Sequence, residues 1–434
     1  MLLPLEERRL SQDHVLDEIF DRFLSGDGIF KNRDVLRHDY IPDKLPHRDE
    51  EIRKVANILA PSLKGSKISN AFIYGKTGTG KTAVARYVLN HLEGKAKVIG
   101  SPLSVCYVNC RLAGTNYRVL ADLCRSVGLD VPFTGLAVTE LLDRFKDRLN
   151  SSAMIELVVL DEIDALVKRQ EDDSILYELT RVNESLSESW VGLVGISNDL
   201  HFKEFLDARV LSCLSEEEVV FRPYLADELY DILAERAAEA FKPGVLDESS
   251  LRLCAALAAK EHGDARRALD LLRVAGEIAE REGSTVVSES HVRVALKKIE
   301  NDRFIEALKF LPLHQKIIVL SAFSLRKVHE EGLITGDLYQ TYLDMCGEVE
   351  VEPLTQRRIS GLINELDAMG LLNARVVSFG RHGRTKKIKI GIPDNAVIEV
   401  FSDDPIVGRL LNHVHRGVSG SKGGRSRRWQ VQEA

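Results

Sequence analysis

The stretch that decides the fold is Gly75-Lys-Thr-Gly-Thr-Gly-Lys-Thr82, which matches the phosphate-binding P-loop pattern at every defined position. An apolar run, Ala71–Tyr74, precedes it and a helical stretch, Ala83–Leu92, follows it, which is the context that the motif requires. Its glycines let backbone N–H groups point at phosphate oxygens, at the positive end of a helix. The predicted phosphate-binding residues are Gly75, Lys76, Thr77, Gly78, Thr79, Gly80, Lys81 and Thr82.

Two residues of this motif and two acids further along the chain have more specific expected roles. Lys81 is expected to reach the β- and γ-phosphates, and the Thr82 hydroxyl to ligate Mg²⁺. The apolar run Leu157–Leu160 ends in Asp161 and Glu162, at the edge where open α/β sheets bind ligands. We expect Asp161 to hold Mg²⁺ through water and Glu162 to orient or deprotonate the attacking water. Without a P-loop upstream, the same pattern would be an ordinary exit from a strand.

The P-loop strand is one of several short apolar runs separated by longer helical stretches. Strands that alternate with helices predict an α/β domain with a parallel sheet covered on both faces, at about residues 41–222. Residues 1–40 are expected to be an N-terminal extension. The predicted strands are Ala71–Tyr74, Val105–Asn109, Leu157–Leu160, Val191–Ile196 and Glu218–Phe221.

The pattern changes after Pro223. Residues 223–300 show only helical periodicity, which predicts a small all-helical domain whose last helix is capped by Ser288 and ends at Lys298. Residues 301–400 are expected to form three helices followed by a hairpin, and residues 401–434 a basic tail, rich in Gly, Ser and Arg toward its end, that we expect to be disordered.

Bulk composition excludes some classes of protein. The chain has 434 residues, which suggests about two to four domains. No apolar run approaches the ~18 residues of a membrane span, and the first residues lack the order of a signal peptide. We therefore expect a cytoplasmic location. Among the six cysteines, Cys106 and Cys110 are expected to be buried thiols; a zinc site is the alternative, but no second pair follows at ligand spacing.

Positive charge is concentrated at the C-terminal end, although the net charge is −7. Residues 375–391 contain six Lys or Arg and no acid, whereas residues 161–188 contain nine acids and three basic residues. A polyanion could therefore bind the C-terminal end without help from the rest of the chain.

The C-terminal pattern predicts a winged-helix DNA-binding domain. Thr355–Met369 has an apolar inner face and polar side chains at its N-terminal end, as a recognition helix needs. A hairpin follows, from Val376–Phe379 through a turn at Gly380–Gly383 to Lys386–Ile392, and its tip would be the wing. A solvated, charged hairpin is the alternative. The predicted DNA contacts are Thr355, Gln356, Arg357, Arg358, Arg381 and Arg384.

Taken together, these motifs resemble the AAA+ class and, more closely, the archaeal replication initiators related to eukaryotic origin-recognition and helicase-loading subunits. The resemblance extends from about Phe30 to Ile392. The motifs that carry it are Pro46-His-Arg-Asp-Glu-Glu51, Ile73-Tyr-Gly-Lys-Thr-Gly-Thr-Gly-Lys-Thr82, Asp161-Glu-Ile-Asp164, Ile196-Ser-Asn198, Arg209-Val-Leu-Ser212, Pro223-Tyr224 and Gly263-Asp-Ala-Arg266.

The resemblance implies further roles. Asn198 looks like the sensor-1 residue, and Arg266 looks like the sensor-2 arginine that reaches the γ-phosphate from a helical lid. Arg209 matches the arginine finger that such proteins offer to a neighbour's nucleotide. Tyr224 and Arg236 lie where the family contacts the nucleotide from the lid.

Each of these roles has an alternative. Asn198 could be an ordinary turn residue, and Arg209 and Arg236 could be helix-surface charges. Tyr224 could be a packing residue at the domain hinge, and Arg267 could replace Arg266. The Pro46–Arg48 stretch is expected near the adenine. Residues 111–145 resemble the helical insertion that initiators use against DNA, with a tip at 128–135, although the segment is not strongly basic.

The resemblance implies an ATP-regulated replication initiator that binds origin duplex DNA and helps to load the replicative minichromosome maintenance helicase. ATP or ADP with Mg²⁺ would be its cofactors, hydrolysis would be slow, and self-association or paralogous initiators are expected. The alternative is an ATP-dependent winged-helix transcription regulator or signalling ATPase. A clamp-loader subunit is disfavoured because it would not need a basic winged helix.

Overall fold

The computed structural model describes residues 28–38, 40–170, 172–214, 216–326, 333–378 and 384–411, together with residue 20. The chain divides into two compact units, residues 1–295 and 296–434. Several predictions concern residues outside the described ranges. These are the hairpin turn Gly380–Gly383 with Arg381, most of the N-terminal extension, and the tail from residue 412 onward.

A five-stranded parallel sheet lies at the centre of the first unit, in the order β2-β3-β4-β1-β5. All five predicted strands are confirmed, and each is longer by one or two residues at an end. Every residue of β3 and β4 is buried, because helices cover both faces of the sheet. The strands are β1 (Ala71–Gly75), β2 (Leu103–Asn109), β3 (Ile155–Asp161), β4 (Trp190–Ser197) and β5 (Glu217–Phe221).

Alternation along β3 divides the core into two layers. Leu157 and Val159 pack on one face, against the helices next to the P-loop, while Val158 and Leu160 pack on the other. The helices of this part are α1 (Asp49–Leu59), α2 (Lys81–Ile99), α3 (Cys110–Ala113), α4 (Asn116–Ser126), α5 (Val138–Ser152), α6 (Ile163–Gln170), α7 (Ser174–Arg181) and α8 (Ala208–Leu214).

Cys106 and Cys110 are free thiols, buried in the layer on the side of β3 that includes Val158. Burial raises the pKa of Cys106 to about 12, so the thiol stays protonated and behaves as a small apolar group. The residues that resemble a helical insertion form α3, α4 and α5, and the predicted tip at 128–135 is the loop between the last two.

Three helices after Pro223 form a helical subdomain: α9 (Ala226–Ala240), α10 (Glu248–Lys260) and α11 (Ala265–Arg281). A fourth helix, α12 (Glu289–Lys309), begins directly after Ser288 as predicted. It continues to Lys309, so the predicted end at Lys298 is wrong. No glycine or proline occurs between the two positions, and Pro312 is the next residue that would stop a helix.

The second unit combines helices with a three-stranded antiparallel sheet in the order β6-β8-β7. The helix predicted at Thr355–Met369 is confirmed as α15, with Thr355 as its N-cap. The hairpin is also present, although its first strand begins earlier than predicted. The elements are α13 (Leu313–Leu325), β6 (Leu333–Ile334), α14 (Thr335–Glu348), α15 (Gln356–Ala368), β7 (Leu372–Ser378), β8 (Arg384–Ile390) and α16 (Asp394–Ser402).

Among the residues with described positions, no helix is long and apolar enough to cross a membrane.

Candidate functional site

A cavity of about 440 Å³ opens at the carboxyl edge of the parallel sheet. Three parts of the first unit line it: residues 37–46 before α1, the P-loop with the ends of β2, β3 and β4, and the helical subdomain. The last part contributes Tyr224, Ile232, Glu235 and Arg236 in and before α9, and Ala265, Arg266 and Leu269 of α11. The predicted site residues that line the cavity are Gly78, Gly80, Lys81, Thr82, Asp161, Glu162, Asn198, Tyr224, Arg236 and Arg266.

The P-loop has the backbone that its sequence predicts. Gly78 and Gly80 have φ angles of 73° and 91°, in the left-handed region that favours glycine. A Cβ atom at Gly80 would lie 2.8 Å from the Tyr224 hydroxyl oxygen, and one at Gly78 would collide with the Asp264 carboxylate. The loop leads into α2 at Lys81, so the unpaired N–H groups at the start of that helix are available to an anion.

Lys81 is held inside this loop. Its Nζ atom donates hydrogen bonds to the carbonyl oxygens of Gly75 at 2.8 Å and Lys76 at 2.7 Å. Burial lowers the pKa of Lys81 from 10.5 to about 8, with nearby Asp161 opposing the shift. A phosphate would offset the lost hydration of this ammonium, so the pocket favours an anionic ligand.

Asp161 joins three structural elements through its two oxygens. Oδ2 accepts hydrogen bonds from the Thr82 hydroxyl at 3.0 Å and from the Tyr107 hydroxyl, while Oδ1 accepts from the Glu162 backbone N–H at 2.9 Å. A hydroxyl and a carboxylate next to a phosphate-binding loop form the oxygen-only donor set that suits Mg²⁺. The residues present therefore fit the metal that the motif predicts.

Tyr107 belongs to the site, although the sequence did not predict a role for it. It lies on β2, and its hydroxyl reaches Asp161 on the neighbouring strand. Burial raises the pKa of Tyr107, so it remains a hydrogen-bond donor at neutral pH. The Arg86 guanidinium, which lines the cavity, lies 4.6 Å from the centre of the Tyr107 ring.

Glu162 has an uncommon backbone conformation. Its φ angle is 53°, in the left-handed region, where a non-glycine residue costs roughly 1–2 kcal/mol. Its Oε2 atom lies 3.5 Å from the Nη1 atom of Arg111 on α3. The sequence did not predict this ion pair. The carboxylate thus lines the cavity and is paired with an exposed arginine side chain.

Asn198 follows β4 at the same edge of the sheet. Its backbone N–H donates to Asp164 Oδ1 at 3.1 Å, and the Ser197 hydroxyl donates to the same oxygen at 2.9 Å. These bonds fix the loop after β4, and the Asn198 residue lines the cavity as its sequence position predicts.

The first turn of α11 contacts the P-loop. Asp264 caps the helix by accepting hydrogen bonds from the backbone N–H groups of Arg266 at 2.8 Å and Arg267 at 3.2 Å. The Ala265 N–H donates to the Gly78 carbonyl oxygen at 3.1 Å. Arg266 lines the cavity, whereas the Arg267 Nε atom lies 3.0 Å from Glu261. The structure therefore places the first of the two adjacent arginines at the site.

Arg236 is buried, so its interpretation as a helix-surface charge is wrong. Its guanidinium donates to the carbonyl oxygens of Val35 at 3.2 Å and Tyr40 at 3.4 Å, and lies 4.5 Å from the centre of the Tyr40 ring. Tyr224 is also buried and lines the cavity, and its ring packs against the Arg48 guanidinium.

Arg48 is the functional-site residue that the sequence placed least well. Its guanidinium is fully buried and donates to the carbonyl oxygens of Thr79 at 2.9 Å and Arg222 at 2.8 Å. The same group lies 3.8 Å from the centre of the Tyr224 ring. Pro46 lines the cavity as expected, whereas the Arg48 side chain ties the P-loop backbone to the junction between β5 and α9.

Arg209 is not brought to the cavity of its own chain. It lies at the start of α8 with an exposed side chain, and its Nε atom is 3.0 Å from Asp207. Its guanidinium carbon also lies 5.3 Å from the centre of the Tyr177 ring. The arginine is therefore held at the surface by a side-chain carboxylate, where another molecule can reach it.

The second unit carries the predicted DNA-contacting residues. Thr355, Gln356, Arg357 and Arg358 are all exposed at the start of α15, and the Thr355 hydroxyl accepts a hydrogen bond from the Arg358 N–H. Buried Ile359, Leu362, Ile363 and Leu366 anchor the opposite face in the core. Arg384 is the first residue of β8, and its side chain, like the whole of Arg381, lies outside what the structure describes.

Comparison with known protein families gives three matches along the chain. An AAA domain matches residues 66–201, a Cdc6 AAA+ ATPase-type lid domain matches residues 230–297, and a CDC6 C-terminal winged helix domain matches residues 306–400. The helical subdomain thus corresponds to the lid, and α15 with its hairpin lies in the winged helix.

Individual relatives match over nearly the whole chain. An ORC1-type DNA replication protein of Thermococcus kodakarensis is 50% identical over 403 residues, 92% of this chain and 97% of the relative. ORC1-type DNA replication protein 1 of Aeropyrum pernix is 50% identical over 400 residues, 91% of this chain and 100% of the relative. A solved structure, the Aeropyrum pernix ORC1 protein in complex with DNA, matches with a TM-score of 0.79 and 50% identity, covering 88% of this chain and 99% of that one.

Proposed function

The chain belongs to the family of ORC1-type DNA replication proteins, and on this premise we propose that it is an ATP-regulated initiator that binds origin duplex DNA. The observation that carries the proposal is the exposed N-terminal turn of α15, with Thr355 to Arg358, above an apolar face that is buried in the second unit. A 50% identical relative was solved in complex with DNA. We assign the nucleotide-binding domain to residues 41–222, the lid to 223–300 and the winged helix to 301–400.

The cavity of the first unit is the proposed ATP site. Gly75 to Thr82 hold the phosphates, with Lys76, Thr77 and Thr79 contributing backbone N–H groups and Lys81 its ammonium. Thr82 and Asp161 would hold Mg²⁺, which would neutralise negative charge on the bound phosphates. Glu162 orients and deprotonates the attacking water, and Asn198 contacts the water or the γ-phosphate.

The lid completes the site from the other side. Tyr224 and Arg236 contact the nucleotide, and Arg266 reaches the γ-phosphate. Since Ala265 and Asp264 already contact Gly78 of the P-loop, a change of the phosphate group is transmitted directly to the first turn of α11. Hydrolysis is slow, and it switches the protein from the ATP-bound to the ADP-bound state.

Arg209 acts on a neighbouring subunit. Its side chain is exposed and lies outside the nucleotide cavity of its own chain, so it is accessible to a nucleotide bound by a neighbouring chain. We therefore propose that copies of this chain, or paralogous initiators, associate when ATP is bound.

DNA is bound by the winged helix. The first turn of α15 lies in the major groove, where Gln356 and Arg357 read base edges, while Thr355 and Arg358 contact phosphates. Arg381 and Arg384 of the wing contact phosphates or a minor groove. The bound initiator recruits the replicative minichromosome maintenance helicase, a step supported by the family alone, and it works in the cytoplasm at the nucleoid.

Genome-wide footprinting of the chain in its own cells tests this function. An initiator protects one or a few sites, and these coincide with the positions where replication begins. A transcription regulator would instead protect many promoters, and that result would replace the proposal.

A further inference from the structure

Lys386 differs from the other lysines of the basic strand β8 in the direction that it faces. Ile388 is fully buried in the core of the second unit, and Ile390 packs against the same core. Because side chains alternate along a strand, Lys386 shares the inner face with these two residues. Lys389 is on the opposite face and is exposed.

The ammonium of Lys386 is fully engaged by the recognition helix. Its Nζ atom donates to the Ser360 carbonyl oxygen at 2.9 Å, the Ser360 hydroxyl oxygen at 2.9 Å and the Asn364 Oδ1 atom at 2.6 Å. A lysine ammonium has three protons, so each has an acceptor within the protein. Ser360 and Asn364 lie one turn apart on the same side of α15. This side chain therefore links the middle of the hairpin to the middle of the helix.

The backbone of Lys386 makes a further connection. Its N–H donates to the Thr335 hydroxyl at 3.4 Å, at the start of α14. In the ladder of the sheet, Lys386 lies opposite Val376 of β7. Lys386 therefore contacts three elements: α14, α15 and β7. From the sequence alone, its charge would be counted among the phosphate-binding cations.

We propose that Lys386 is a positioning residue, which clamps the hairpin β7–β8 to the recognition helix and sets sequence selectivity without touching DNA. The proposal rests on the proposed function, in which helix and hairpin contact one duplex together. The N-terminal side chains of α15 and the wing must then meet two grooves or strands in a fixed relation. Lys389, which is exposed on the opposite face of the same strand, is the matched cation that remains accessible to a phosphate.

Two variants of the full-length chain separate clamping from phosphate binding. Lys386→Met keeps the length and apolar stem of the side chain, and Lys389→Met makes the same change on the outer face. The probes are the tightest duplex recovered by selection from a random-sequence library, and the same duplex with its bases scrambled. The affinity of each variant for both is measured over a range of salt concentrations, well below its melting temperature.

The two variants are expected to differ in the salt dependence and in the sequence selectivity of DNA binding. Lys389→Met should flatten the slope of log affinity against log salt by roughly 0.9 and weaken both duplexes to a similar degree. Lys386→Met should leave the slope unchanged, and should lose up to roughly tenfold in affinity for the selected duplex, because a clamp can change the affinity by no more than the hydrogen bonds that hold it contribute. Its affinity for the scrambled duplex should change little, so the ratio of the two affinities falls.

A third variant distinguishes loss of the clamp from a folding defect in Lys386→Met. Asn364→Ala removes one acceptor from the helix side and should lower the same ratio, while Asn364→Ala combined with Lys386→Met should lose little more than Lys386→Met alone. A slope that flattens with an unchanged ratio in Lys386→Met would overturn the inference, as would wild-type selectivity in both single variants. A wild-type chain that binds neither duplex would instead contradict the proposed function, and the inference with it.

Discussion

The Thr82 hydroxyl donates a hydrogen bond to Asp161 Oδ2 across 3.0 Å, and thereby joins the first turn of α2 to the end of β3. The two residues lie far apart in the chain, but the parallel sheet brings the ends of β1 and β3 to one edge. The same carboxylate oxygen also accepts a hydrogen bond from the Tyr107 hydroxyl. The two proposed Mg²⁺ ligands and a supporting hydroxyl group therefore lie together at the mouth of the P-loop.

Tyr107→Phe should raise the Mg²⁺ concentration that nucleotide binding requires. The change removes the hydroxyl that orients Asp161, and loss of such a supporting group costs roughly tenfold or more in metal affinity. The readout is the Mg²⁺ concentration at half-maximal binding of a fluorescent ATP analogue. Tyr117→Phe, which removes a hydroxyl bonded to the Pro132 carbonyl oxygen, is the control. Equal Mg²⁺ midpoints for the two variants would remove Tyr107 from the account.

Nucleotide binding should weaken as pH rises through about 8. Burial holds the pKa of Lys81 near 8 instead of 10.5, so the Lys81 ammonium of the nucleotide-free protein loses its proton above that pH. Phosphate binds the protonated form, and the affinity for ADP should then fall by up to roughly tenfold per pH unit. Adenosine lacks the phosphates and should show no such trend. Calorimetric titrations from pH 7 to 9.5 measure both, and parallel curves for the two ligands would contradict the role of Lys81.

The same shift has a stability consequence of the opposite sign. The pKa of Lys81 is lower in the folded chain than in the unfolded one, because the buried ammonium is poorly hydrated. This cost to folding is fully present below pH 8 and is relieved as pH rises from about 8 toward 10.5. Lys81→Ala should therefore abolish nucleotide binding without lowering the melting temperature of the free chain at pH 7.

Glu162→Gln should keep nucleotide binding and lose hydrolysis. The amide cannot accept a proton from water, and loss of a general base costs roughly 10²–10⁴-fold in turnover. Glu184→Gln changes an exposed carboxylate on a 3₁₀ turn and serves as the control. Phosphate release by Glu162→Gln at the wild-type rate would assign the base to another residue.

Arg209→Ala should lower turnover only where subunits meet. Since the side chain is exposed and paired with Asp207, its removal should leave the ATP affinity of the monomer unchanged. Turnover per subunit is measured across a range of protein concentrations. Arg252→Ala provides a matched control, because Arg252 is likewise exposed and paired with the nearby Glu248. A defect of Arg209→Ala that is equal at all concentrations would indicate a local structural role.

The sequence predicted those parts of the fold and site that depend on local pattern. Strands β1, β3 and β4 are almost wholly buried, so each appears as a short apolar run, and the P-loop and Asp161 directly follow two of these runs. Thr355 was placed correctly because an N-cap and a buried helix face have short-range signals.

What the sequence could not give depends on long-range contacts. Arg48 joins backbone carbonyls of Thr79 and Arg222, and nothing in its own neighbourhood indicates those partners. Tyr107 reaches Asp161 only because β2 and β3 are neighbours in the sheet. Lys386 and Lys389 belong to one basic run, and only the packing of β8 against the core separates the inward from the outward side chain.

The central claim is that the winged helix holds DNA, and the most direct measurement is a salt titration of duplex binding by four single variants. Arg381→Ala and Arg384→Ala should weaken binding to any sequence and flatten the salt slope by roughly 0.9 for each phosphate that the variant no longer neutralises. Arg357→Ala or Gln356→Ala should cost ~1–3 kcal/mol on the selected duplex and relax preference at one position. All four should bind ATP as the wild type does, because the P-loop lies in the other unit. If none of the four weakens DNA binding, the winged helix is not the DNA-binding element and the account is wrong.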